Sequence, residues 1–391
     1  MTTKKGWLVM SLANETIAER YKGLGTFSHG FDYLRIILAV AVVLQHSIVS
    51  SYGGLVAGQI WGSWTRIFLA PILIMFFGLS GFLVTGSLKK NPTATSFLTL
   101  RAVRLFPALA VEVFLSALII GPIFTQFTLS QYFQSRYFWR YFTNILGHIH
   151  LDLAGVFLNL PFPNVVNLSL WTIPYELECY IAIIALYIVG VVRRRWPMIP
   201  LTIALIALGT LAAFQHWEPY WATNRPLPRS LVVAFLVGVT INLYSDRVRL
   251  QRSYALIALL AMIACTFDYR TVYLATIPAV YIVVYLGMMH PPKRGFIFSG
   301  DYSYGLYLFA FPIQQTYTAL FPGARVWYAN SAFTIVFGMI YAAFSWWCIE
   351  KPLLTRKHHF VRVAEASRDR VLKILGMAQH GRARPDGDRI G

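Results

Sequence analysis

Apolar runs that carry no charge alternate with short polar segments along most of the chain. A helix needs about 20 apolar residues to cross the hydrocarbon core of a bilayer, and most of the runs approach or exceed that length. The pattern therefore predicts an all-α, polytopic integral membrane protein with about ten transmembrane helices. The predicted spans are 31–50, 66–87, 104–124, 172–192, 198–215, 228–245, 253–268, 271–290, 301–321 and 327–350.

Composition supports a membrane protein and excludes several other classes. Of the 391 residues, 57% are hydrophobic and 13% are charged, which excludes a disordered chain, a collagen and a disulfide scaffold. The net charge is +18, but a nucleic-acid-binding protein would be rich in charged residues, so we expect no nucleic-acid partner. The three cysteines lie far apart and show no zinc-site spacing, so no metal is predicted.

The positive charges predict the orientation, because Lys and Arg are enriched in cytoplasmic loops. With the N-terminus inside, most of the 34 Lys and Arg residues fall in inner segments, and both termini are cytoplasmic. The chain then divides into a cytoplasmic segment at 1–27, a ten-helix membrane domain at 28–353 and a basic, partly disordered tail at 354–391. The arginines of the outer loops are Arg136, Arg140, Arg225, Arg229, Arg270 and Arg325.

Ionisable residues inside a span are costly and often functional, and the first span carries three. Arg35 and His46 are eleven residues apart, which places them within about 20° on a helix and about 16 Å apart along it. Asp32 lies near the same face. This stripe predicts a polar cavity that runs outward from the inner leaflet. The alternative is an interfacial ion pair between Asp32 and Arg35, with His46 bonded to a neighbouring helix.

The third span opens with two arginines on one face, Arg101 and Arg104. Two adjacent guanidiniums are suited to clamp a phosphate, since each offers paired donors and keeps its charge. The alternative is simple anchoring at the cytoplasmic edge. Glu112 lies eleven residues beyond Arg101 on the same face, where it could line the cavity or neutralise a cation.

The fourth span begins with Glu176 and Tyr180 on one face, at the predicted outer end. A carboxylate at that depth could orient His46, although an exposed loop carboxylate is an equal alternative. In the second and ninth spans, small and polar residues favour either close helix packing or a cavity wall. These residues are Ser80, Gly81, Asp301, Ser303 and Tyr304.

Six segments, in their order along the chain, resemble the motifs of one known family. The resemblance covers roughly residues 28–353 and points to the acyltransferase-3 family, whose members are integral-membrane O-acyltransferases of bacterial surface polysaccharides and related acceptors. The segments read FDYLR followed by His46, FFGLSGFLVTGSL, RAVRLFP, SLWTIPYELECY, DYSYGLYL and IEKP.

The resemblance implies roles for matching positions. His46 matches the proposed catalytic base and Arg35 its partner in the same motif. Arg101 and Arg104 match the pair that engages the acyl-coenzyme A donor. Glu176 matches the acidic residue of a motif that begins with Trp171.

The implied activity is transfer of an acyl group, acetyl by default, from cytoplasmic acyl-coenzyme A to a hydroxyl group. The implied acceptor is a carbohydrate, either a cell-surface polysaccharide or a lipid-linked sugar, at the bacterial inner membrane. No permanently bound cofactor is implied. Many relatives carry an added esterase-like domain that this chain lacks, so a separate periplasmic partner is an open expectation. The alternative is a membrane transporter or flippase without acyl-transfer chemistry.

Overall fold

The structure is a computed structural model, and it is almost entirely helical in the part that it describes. Outside the helices, β1 (Glu15–Thr16) pairs antiparallel with β2 (Arg249–Leu250) to form a two-residue ladder. The described residues are 14–25, 28–90, 93–217, 227–292 and 300–374.

The helices follow the predicted order along the chain. Those of the first half are α1 (Ile17–Leu24), α2 (Gly30–Trp61), α3 (Arg66–Lys90), α4 (Ala94–Leu115), α5 (Gly121–Phe124), α6 (Leu129–Gln134), α7 (Arg136–Tyr141), α8 (Ile173–Ile188) and α9 (Val191–Arg194). Those of the second half are α10 (Met198–Phe214), α11 (Pro228–Leu243), α12 (Arg252–Phe267), α13 (Thr276–Met288), α14 (Ser303–Leu320), α15 (Trp327–Phe344), α16 (Lys351–Thr355) and α17 (Lys357–Ile374).

A helix occupies each region in which the sequence predicts a span, which confirms a helical membrane protein. Within the described ranges, five helices are long and apolar enough to cross a membrane. The other apolar helices are shorter or less apolar, so the count of ten and the cytoplasmic side of both termini remain predictions. The five helices, with their continuing turns, are Gly30–Trp61, Arg66–Lys90, Ala94–Phe124, Leu168–Ile188 and Trp327–Thr355.

Several predicted boundaries are wrong, and local signals explain the differences. Helix α4 begins at Ala94 rather than at residue 104, because the Thr93 side chain accepts a hydrogen bond from the Ser96 amide and caps the helix there. Helix α2 continues beyond residue 50 to Trp61, with a kink at Gly53, whose φ of +86° suits glycine. The eighth predicted span begins later than expected, at the start of α13.

Helices α3 and α11 pack closely because glycines face each other at their crossing. A Cβ added to Gly81 would lie 2.0 Å from the Phe235 carbonyl oxygen, and one added to Gly238 would lie 2.0 Å from the Gly78 carbonyl oxygen. Any larger residue would force the helices apart. At Gly81 the structure therefore shows close helix packing.

Polar side chains join α2 to α14 and α15 in the half of the bundle beyond His46. Gln314 donates to the Ser47 hydroxyl at 2.8 Å, and Asn330 donates to the Ser50 hydroxyl at 3.0 Å. In a membrane, such hydrogen bonds between helices are a main source of association. They fix the rotation of α2 and, with it, the direction in which His46 points.

The tail contains helix α17. Helix α17 is joined to the beginning of α4 by a hydrogen bond from the Thr93 hydroxyl to Glu365 at 3.0 Å. The predicted disorder at the end of the chain concerns residues that lie outside the described part, as do the first 13 residues of the predicted cytoplasmic segment.

Candidate active site

A cavity of about 1010 Å³ opens among α3, α4, α8, α11 and α14. Its lining follows α3 from Leu73 to Lys90, which corresponds to about 25 Å along the helix. At the end formed by the last turn of α3, the lining is basic. The basic residues there are Lys89, Lys90, Arg101, Lys357 and His358. At the other end, the lining consists of apolar and hydroxyl-bearing residues, among them Leu73, Phe76, Thr172 and Tyr307.

Four charged residues form a cluster, and three of them, Arg35, Arg104 and Asp301, line this cavity. The Asp301 Oδ2 atom accepts hydrogen bonds from Arg35 at 2.5 Å and from Arg104 at 2.6 Å. Arg104 also donates to Glu350, which is 2% exposed, at 2.7 Å. Ser303 donates to the other Asp301 oxygen at 2.8 Å. The two positive and two negative charges balance one another. Their hydrogen bonds join α2 and α4 to the residues just before α14 and to the end of the helical segment that follows α15.

Arg101 differs from Arg104 although both line the cavity. Its Nη2 atom lies 3.4 Å from the Ser87 hydroxyl, and its Nε atom has no hydrogen-bond partner among the described residues. The guanidinium lies over the Phe97 ring at 5.8 Å. The structure therefore does not show a clamp of two equivalent arginines. Arg104 is hydrogen-bonded to two carboxylates, whereas Arg101 is available to bind an anion.

Glu176 lines the same cavity as these arginines and accepts a hydrogen bond from Tyr180, as their shared helical face predicts. His46 is not among the residues that line this cavity, so the orientation of His46 by Glu176 remains a prediction. Trp171 packs against Tyr175, with ring centroids 5.9 Å apart, and is not among the cavity-lining residues.

His46 is nearly buried, with 7% of its surface exposed, and its ring packs edge-on against Phe311 at 5.4 Å between centroids. Ala39 and Val42, which lie between Arg35 and His46 on the predicted stripe, are also buried. The prediction of an open stripe along α2 is therefore wrong beyond Arg35. The stripe faces packed neighbours, and only its inner end reaches the cavity.

Glu112 is fully buried and does not line the cavity. Its Oε1 atom accepts hydrogen bonds from Ser116 and from Asn167, both at 2.8 Å. Asn167 also donates to the Leu308 carbonyl at 2.7 Å. Glu112 thus anchors the segment that leads into α8 to both α4 and α14, so the expectations that it lines the cavity or neutralises a cation are not met.

The remaining sequence candidates have mixed placements. Ser80 lines the cavity, and Tyr304 lines it while its hydroxyl donates to the Leu105 carbonyl at 2.9 Å. Asp32 is partly buried and is not among the lining residues, and Arg35 pairs with Asp301.

Sequence reasoning missed two lining residues, Thr172 and Tyr307. The only signal for Tyr307 is its spacing of three residues from Tyr304, which places both on one helix face. Thr172 belongs to the same motif as Glu176, and a neutral threonine in that segment gives no signal of its own. Over the described part of the chain, no group of three His, Cys, Asp or Glu residues could hold a metal ion.

Comparison with known proteins bears on this site. A family model described as "Acyltransferase domain" matches residues 28–350. An "O-acetyl transferase" of Shigella phage Sf6 is 28% identical over 342 residues, which cover 84% of this chain and 97% of the phage protein. "Nodulation protein 10" of Rhizobium leguminosarum bv. viciae is 28% identical over 366 residues, covering 83% of this chain and 93% of that protein. The search of solved structures found no match.

Proposed function

Because the chain belongs to the acyltransferase-3 family and is an acyltransferase, we propose that it transfers an acetyl group from cytoplasmic acetyl-coenzyme A to a hydroxyl of a carbohydrate. The acceptor is a surface polysaccharide or a lipid-linked sugar, and the protein acts in the bacterial inner membrane. The choice of acetyl rests on the relative that is named as an O-acetyl transferase.

The cavity is the observation that carries the proposal. Its basic end offers cations to the phosphates of coenzyme A, and a cleft lined by one sign of charge concentrates ligands of the opposite sign. Its volume of about 1010 Å³ is at the upper end of the range for small-molecule sites, which suits a long donor. The apolar end would receive the pantetheine arm and the thioester.

His46 is the proposed general base, because a neutral imidazole can accept the proton of an acceptor hydroxyl. Phe311, which contacts His46, lies one turn beyond the cavity-lining Tyr307 on α14, a rise of about 6 Å. The thioester at the apolar end and the base on α2 would therefore contact adjacent turns of α14. The acceptor would reach His46 from the outer side, where a separate periplasmic partner could present it.

Membrane vesicles that contain the protein test the proposal. With acetyl-coenzyme A labelled in the acetyl group, we expect free thiol to appear together with label in the carbohydrate fraction, in an acceptor-dependent way. Vesicles without the protein provide the control. A transporter or flippase would give neither thiol nor labelled carbohydrate, and that result would refute the proposal.

Substituting Arg101 should weaken donor binding. Arg101→Gln removes an available charge, and a hydrogen bond to a charged group contributes about 1.5–3 kcal/mol, so the donor KM should rise about 10- to 100-fold with a smaller change in kcat. The control is Arg193→Gln, since Arg193 is exposed and does not line the cavity. If both variants have the KM of the unmodified protein, Arg101 acts as a membrane anchor.

A further inference from the structure

Two hydroxyl groups meet at the apolar end of the cavity. The Thr172 Oγ1 and Tyr307 Oη atoms are 2.7 Å apart. Both residues line the cavity and are nearly buried. Thr172 ends the short helical turn before α8, and Tyr307 lies in the second turn of α14. The pair is therefore held by two separate elements that converge on the cavity.

One of the two hydroxyl hydrogens of this pair has no short hydrogen bond to the described residues. One hydroxyl donates to the other across 2.7 Å, which leaves one O–H group. Its partner within the described residues is the Ser169 carbonyl oxygen, at 3.2 Å from Thr172 and 3.3 Å from Tyr307. Good O–H···O bonds measure about 2.5–3.0 Å, so this proton is weakly held and would turn towards a better acceptor in the cavity.

Outside the basic end, which would hold the donor phosphates, several other polar groups on the cavity wall are less suited to stabilise a negative charge. Arg104 and Arg35 are bonded to Asp301. The Tyr180 hydroxyl is bonded to the Glu176 carboxylate, which would itself repel an oxyanion. The hydroxyl pair instead lies beside apolar residues, where a hydrogen bond to a developing charge is stronger than in water.

We propose that Thr172 and Tyr307 form the oxyanion-binding site of this enzyme, an inference that rests on the proposed acyl transfer. The acceptor oxygen attacks the thioester carbon while His46 takes the hydroxyl proton, and a carbon–oxygen bond forms. The carbonyl oxygen becomes negative and accepts a hydrogen bond from the remaining O–H group of the pair, which keeps its own protons. The carbon–sulfur bond then breaks, and His46 returns the proton to the sulfur of coenzyme A.

Tyr307→Phe tests this role, because it removes the hydroxyl and keeps the ring that packs against Phe76 at 5.8 Å between centroids. We expect kcat to fall about 100- to 1000-fold, as for other oxyanion donors, with the donor KM within about threefold. Thr172→Val should lower kcat in the same way. The matched control is Tyr317→Phe on the same helix, which loses a hydrogen bond to the Ala324 carbonyl outside the cavity.

A spectroscopic measurement separates this role from a structural one. The donor is acetyl-coenzyme A labelled with ¹³C at the carbonyl, and His46→Ala prevents its turnover. In this variant, the carbonyl stretch of the bound donor should lie at lower frequency than that of the free donor. Adding Tyr307→Phe should reverse the shift. An unchanged carbonyl frequency, a kcat within twofold of the unmodified protein, or a loss of kcat matched by a loss of thermal stability would each overturn the inference. Absence of acyl transfer by the unmodified protein would instead refute the proposed function.

Discussion

Replacement of His46 with Ala or Gln is expected to reduce acyl transfer about 100- to 10,000-fold, the usual contribution of a general base. Without the imidazole, nothing takes the proton from the acceptor hydroxyl as it attacks. The donor KM should change little, because His46 is not among the residues that line the cavity. The measurement is label transfer from acetyl-coenzyme A to carbohydrate at several donor concentrations, in vesicles with equal amounts of protein.

The control for this substitution is His216→Gln. His216 lies just after α10, where its ring contacts Tyr269 at the exposed surface, and it does not line the cavity. That variant should have the activity of the unmodified protein. Because His46 is buried against Phe311, the smaller side chain in His46→Ala could disturb packing, and His46→Gln keeps most of the volume. Full activity in either folded His46 variant would exclude His46 as the base.

The sequence predicts the features that are determined within a single helix. The structure has a helix in every region where the apolar runs predict a span, because crossing a membrane imposes a length and a composition on each helix separately. The shared face of Glu176 and Tyr180 follows from helical spacing alone, and the structure confirms it with a hydrogen bond. Arg101 and Arg104, which share a helix face by the same kind of spacing, both line the cavity.

The sequence is less informative where two helices must meet. Asp301 lies 266 residues from Arg35 and 197 residues from Arg104 in the chain, so no local pattern reveals that both arginines bind it. The segment before α8 is likewise held by hydrogen bonds of Asn167 to Glu112 on α4 and to the Leu308 carbonyl on α14, which lie far away in the chain. Tertiary contacts therefore decide which of two similar arginines is free for a ligand.

Arg104→Met is expected to destabilise the protein strongly, because it leaves Glu350 buried without its cation. Glu350 is 2% exposed and would keep only the hydrogen bond from Ser345 at 2.9 Å. Removing one partner of a buried ion pair costs about 3–5 kcal/mol. We expect little folded protein and a large fall in melting temperature in detergent, whereas Arg193→Met, at an exposed position, should melt like the unmodified protein.

The double variant distinguishes a charge effect from simple loss of packing. Glu350→Gln added to Arg104→Met removes the stranded charge, while Asp301 keeps Arg35 as its partner at 2.5 Å. Since the penalty arises from an uncompensated charge, the double variant should be more stable than Arg104→Met alone. A double variant that melts at or below the temperature of Arg104→Met would show that the cluster does not act through charge balance. Recovery of stability without recovery of activity would mean that the cluster also shapes the cavity wall on which the donor lies.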